Sequence, residues 1–100
     1  MTDYKDLPRD KETGDLLIDQ VVFPIHNTLL KPITVDGQKI EKVTVLEPTV
    51  LDIETSNQEA TELDKTKRIL AQVMELKPDD IKQFGSRDFT RLSGLVAAFL

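Results

Sequence analysis

The sequence predicts an α+β fold: an N-terminal β-hairpin followed by three to four short α-helices, with a third strand from residues 16–25 as an open option. Three observations carry this. Asp36-Gly37 lies between two runs suited to strands. After Pro48 the apolar residues recur at helical spacing to the last residue. Nowhere along the chain do reactive side chains cluster.

The hairpin is the sharpest local signal. Its first arm reads Leu29 to Val35 and its second Gln38 to Val45. Asp-Gly suits a two-residue turn in which both residues take positive φ. Such a turn sets Val35 against Gln38 and Ile33 against Ile40. Residue 32 then falls at a site that makes no ladder bond, so the missing N–H of Pro32 is tolerated on a sheet edge. Carrying the same register further would place Lys31 opposite Lys42 and turn Val43 and Val45 away from the face of Ile33 and Ile40. One extra residue near Glu41-Lys42, a β-bulge, corrects both faults and is expected there.

Pro48 ends the hairpin, and Thr49 can cap a short helix over residues 50–56. From about Glu59 to Leu76, the positions Leu63, Ile69, Leu70, Val73, Met74 and Leu76 mark one helical face. Pro78 fits the first position of a new short helix, with Asp79 and Asp80 at its positive end. Ile81 and Phe84 are its apolar side. Gly85 closes it, and Ser86 is the expected cap of a final helix striped by Phe89, Leu92, Leu95 or Val96, and Phe99.

Ahead of the hairpin, residues 1–15 read as a flexible acidic tail containing Pro8 and Gly14, so a single small α+β domain spans 16–100. Residues 16–25 form a short apolar patch. They suit a strand or core-packing segment, or a detachable segment that covers a partner-binding surface until the partner arrives.

Composition narrows the function. One hundred residues, 39% apolar and 31% charged, suffice for one domain with a modest core. The net charge of −5 opposes binding to a phosphate backbone or an anionic membrane. No apolar run is long enough to span a bilayer, and the first residues lack a signal-peptide pattern. There is no cysteine, which suits a cytosolic protein. His26 is the single histidine and reads as structural or solvent-exposed. Without cysteine or a second histidine a zinc site is not expected. Asp79-Asp80 serve helix polarity better than acid–base chemistry. Four glycines are too few for a phosphate-cradling loop. No enzyme activity, cofactor or metal is therefore expected. What remains is apolar helical surface, which either completes a self-contained core or forms a groove for a helical partner.

One family matches this order of features. Lys31-Pro32-Ile33-Thr34-Val35-Asp36-Gly37 and Leu46-Glu47-Pro48-Thr49-Val50-Leu51-Asp52 resemble the start of the tail assembly chaperones of contractile-tailed phages, the group that includes tail protein E. Ile69-Leu70-Ala71, Leu76-Lys77-Pro78-Asp79-Asp80-Ile81 and Arg87-Asp88-Phe89-Thr90-Arg91-Leu92-Ser93 extend the likeness over residues 28–100. Lys77 departs from the family's cap-type residue, and residues 1–26 precede the family hairpin by more than expected. The resemblance implies a non-enzymatic protein of the bacterial host cytoplasm. Such a protein binds and shields the tape-measure protein during tail assembly and is absent from the mature virion. It also implies, in many members, a longer frameshifted form of the same protein. Homo-oligomerisation through the hairpin edge or the last helix is open. The candidate partner-binding residues are Phe84, Phe89, Leu92, Val96 and Phe99, with Ile69 and Val73 behind them. The alternatives are a structural or adaptor component of the tail, or a small antitoxin-like regulatory binding protein.

Overall fold

The computed structural model describes residues 2–100. Three strands, β1 (Thr2–Asp3), β2 (Ile25–Val35) and β3 (Gln38–Val45), precede four helices, α1 (Val50–Ser56), α2 (Glu62–Met74), α3 (Pro78–Ile81) and α4 (Ser86–Ala97). The sheet order is β1-β2-β3, with β1 parallel and β3 antiparallel to β2. The α+β class read from the sequence is the observed one.

Asp36 and Gly37 take φ of 50° and 80°, the type I′ turn whose twist matches paired strands. Val35 faces Gln38 and Ile33 faces Ile40, as the two-residue loop requires. The register then breaks, but on the other strand from the one expected. Leu29 to Pro32 of β2 stand opposite Glu41 alone, so Thr28 faces Lys42 and Asn27 faces Val43. The extra residues sit in β2, not near Glu41-Lys42 in β3. The odd offset still brings Val43 and Val45 into the core with Ile33, and it removes the Lys31–Lys42 opposition.

The reason lies 57 residues downstream. Asp88 of α4 is 1% exposed, and its two carboxylate oxygens accept the Leu30 and Lys31 N–H groups, both at 3.0 Å. Those amides have no ladder partner, and Pro32 beside them has no N–H to offer. Arg91 completes the clamp: one of its nitrogens lies 3.1 Å from Asp88 and donates to the Thr28 carbonyl at 3.0 Å. At the turn end Gln83 acts as a strand substitute. Its amide oxygen accepts from the Thr34 N–H at 2.9 Å, and its nitrogen donates to the Thr34 carbonyl at 2.8 Å. The outer edge of β2 is thus closed by side chains of the segment that runs from the end of α3 into α4.

The helix ends follow local chemistry. Thr49 and Asp52 form a reciprocal capping box at 3.1 and 2.9 Å, starting α1 where the sequence places it. Asp52 also accepts from the side-chain amide of Gln72 at 3.0 Å, joining α1 to α2. Thr61 caps α2 by accepting the Asp64 N–H, so this helix begins later than Glu59. It stops at Glu75, which turns left-handed at φ 56°. At α3, Asp80 accepts the Lys77 N–H at 3.0 Å, but a lysine side chain has no acceptor to return the bond. At α4 the cap is Gly85, one residue before the expected Ser86, which is already helical.

Residues 2–15, expected as a flexible tail, are packed on the body; Met1 lies outside the described residues. Thr2 donates to the Pro24 carbonyl at 3.1 Å, and Leu7 is 8% exposed within the core. Asp10 accepts the Glu12 and Thr13 N–H groups, tightening a turn closed by the Arg9–Leu16 bridge. The third strand is therefore Thr2–Asp3 and not residues 16–25, where a short 3-10 turn (Ile18–Gln20) precedes β2. The core joins Ile25, Leu29, Ile33, Val43 and Val45 of the sheet to Leu70, Val73, Ile81, Leu92, Leu95 and Val96 of the helices.

Two outcomes follow. Asp88→Ala leaves the Leu30 and Lys31 amides without their acceptor and should lower stability by about 2–4 kcal/mol in urea unfolding, whereas Asp79→Ala, an exposed carboxyl on α3, should stay within about 0.5 kcal/mol. The Thr49 N–H, followed by the Gln72 and Thr49 side chains, holds the Asp52 carboxyl below its ordinary 3.8 against the opposing effect of burial. A lowered folded value means its contribution is complete above the unfolded value and is lost as pH falls through the folded one. The urea midpoint of the native chain should therefore drop more steeply below about pH 5 than that of Asp52→Asn.

Candidate partner-binding surface

Helix α2 packs against α4, α2 lies on β3 and α4 on β2, and apolar side chains line the seam between the two helices. Two hollows follow it. One, of about 310 Å³, is lined by Thr66, Ile69 and Leu70 of α2 and by Ser93, Val96 and the terminal Leu100 on the α4 side. The other, of about 330 Å³, lies between Leu63 and Lys67 of α2, Ile81 of α3, Lys82 and Phe84 in the link to α4, and Ser86 and Phe89 in its first turn. They belong to one seam: Thr66 and Lys67 are consecutive, and Phe89 and Ser93 are one helical turn apart. Leu63 at 58% exposed and Leu100 at 60% mark its two ends.

The charges beside the seam are already paired. Lys67 lies 3.1 Å from Asp64 and Lys82 3.1 Å from Asp79. Asp64 has its carboxyl lowered, first by the hydrogen bond from Lys67 and then by that from Thr61. The rim is close to neutral, so what the seam offers a partner is apolar area.

The candidate residues divide among three places. Leu92 and Val73 are buried in the core and line neither hollow. Ile69, Val96 and Phe84 are core residues that also form hollow walls, and Phe89 is half-buried in the second hollow. Phe99 lies apart: it packs edge-on to Phe23, with ring centres 5.1 Å apart, in a depression shared with Ile18, Val21 and Glu47. Leu63 and Leu100, the most exposed apolar side chains of the seam, are outside the candidate set. The available signal is positional. Leu63 sits in the first turn of its helix and Leu100 beyond the last, where the sheet cannot cover them. His26, read as structural or exposed, is half-buried and bonds through its ring to Thr44 on β3 at 3.1 Å.

The small sheet-and-helix body thus leaves an apolar seam open to solvent. The family model for phage tail assembly chaperone proteins, E, or 41 or 14, matches residues 27–100, and the chain belongs to that family. Comparisons with curated proteins and with solved structures gave no match. The match begins at Asn27, leaving β1 and the segment up to His26 outside it. Membership of a chaperone family points to a non-enzymatic role in tail assembly with a protein partner.

Core and seam residues separate experimentally. Leu92→Ala should lose about 2–5 kcal/mol of stability, while Leu63→Ala should remain within about 0.5 kcal/mol, as read by denaturant unfolding.

Proposed function

We propose that this protein binds the tape-measure protein during tail assembly and shields its apolar helical surface through the α2–α4 seam. The observation that carries the reading is the apolar seam with its rim charges paired, open at Leu63 and Leu100, on a member of the tail assembly chaperone family. A helix of the client laid along the seam would seat its apolar side chains in the two hollows, the usual way a groove takes an amphipathic helix. The area per contact is small, so each contact is weak, and shielding accumulates from many copies along a long client. Weak single contacts also let the chaperone leave as the tail tube closes. The protein acts in the bacterial host cytoplasm and is left out of the finished virion.

Co-expression tests this. The native chain should hold its cognate tape-measure protein in the soluble fraction. Leu63→Asp, at an exposed position that leaves the fold intact, should weaken binding by about tenfold. Failure of the native chain to solubilise the client overturns the proposal, and abundant chain in purified virions assigns it to the tail structure instead.

A further inference from the structure

The two outer edges of the sheet are treated differently. On β2 the edge is shut by β1, Arg91, Asp88 and Gln83. On β3 no backbone hydrogen bond leaves the strand outward among the described residues until Leu46, just past its end, donates to the Val73 carbonyl at 2.9 Å. Which groups point outward follows from the pairing. Thr34 shows both its N–H and its carbonyl to Gln83, so it sits at a site with no ladder bonds. Its partner Lys39 must likewise turn both groups away from β2. Glu41, two residues on, turns the same way, and its side chain lies on the same face as that of Lys39, 3.3 Å from its ammonium. The open edge therefore presents Lys39 and Glu41, with Ile40 between them.

We infer that this edge pairs with the same edge of a second copy, antiparallel, with Lys39 opposite Glu41, Ile40 opposite Ile40, and Glu41 opposite Lys39. Charge selects that register. An isologous ladder needs outward-facing residues opposite one another. Centring it on residue 39 sets lysine against lysine, and centring it on residue 41 sets glutamate against glutamate, both unfavourable. Only the axis through Ile40 makes both charged pairs attractive, forms backbone bonds at 39 and 41 in each copy, and brings the two partly buried Ile40 side chains together. Charged side chains, lysine above all, usually blunt an edge against pairing; here the two signs stand in a self-complementary order. The contact is short, so the dimer is a dissociating one. It places two seams on one particle, whichever client those seams take.

Sedimentation velocity of the full chain alone, from micromolar to millimolar concentration, tests this without any client. A concentration-dependent monomer–dimer equilibrium is expected. Lys39→Glu and Glu41→Lys should each raise the dissociation constant about tenfold or more, and the double variant K39E/E41K should restore it. Both positions are exposed, and circular dichroism should show unchanged folding for all three variants. A chain that stays monomeric throughout, single reversals that leave the dimer intact, or a double variant that fails to recover would each overturn the inference.

Discussion

The structure depends on one buried carboxylate. Asp88 sits at the third position of α4 with almost no solvent contact, where it takes two consecutive amides from β2 and one guanidinium from its own helix. A buried charge of this kind is held only by donors, and here the donors are backbone groups the ladder cannot use. The same bonds that satisfy Asp88 set the offset between β2 and β3, and that offset decides which face Val43 and Val45 occupy. They also fix the start of α4 on the sheet, and with it the lower wall of the seam. Register, core and candidate surface thus share one anchor.

That dependence explains what could be read in advance. The turn, its pairing at 33–40 and 35–38, and helix α1 are encoded within a few residues, by Asp36-Gly37 and by Thr49 with Asp52. The need for a register break was legible too, from lysine opposition and facing. Its side was not, because the choice lies with Asp88, far along the chain and otherwise indistinguishable from a helix-start acid. The candidate surface shows the same limit. Periodicity finds the centre of an apolar stripe, which is where Leu92 and Val73 lie, and the centre is what the sheet buries. Side chains available to a partner fall at helix ends such as Leu63 and Leu100, where a period cannot be measured. Polar composition likewise suggested a free tail over residues 1–15, although Leu7 and Tyr4 supply enough apolar area to dock it.

The docked segment draws on the same anchor. Tyr4 lies under the Arg91 guanidinium, 5.2 Å from ring centre to the charge, so one arginine joins the N-terminal segment, the Asp88 clamp and the Thr28 carbonyl. Phe23 against Phe99 holds the other end of the segment to the end of the chain. The segment covers the flank of α4 turned away from α2, as the shared lining of Tyr4, Leu16, Arg91 and Leu95 records. The family match starts at Asn27, so this cover lies outside the matched region. Its position leaves the α2–α4 seam as the open apolar flank of the last helix.

A surface made this way has particular physics. Its rim lysines are neutralised by Asp64 and Asp79, so long-range attraction contributes little and binding through it should vary only weakly with salt. The driving force is removal of apolar area from water, which is indifferent to sequence detail and tolerant of sliding. Specific recognition demands buried polar pairs that match one partner, and the lining of the two hollows offers for that purpose the hydroxyls of Thr66, Ser86 and Ser93 beside two lysines already paired with aspartates. A seam with little polar discrimination suits a client that presents many similar apolar stripes in succession better than one that presents a single unique epitope. Register with such a client must then come from elsewhere in the assembly.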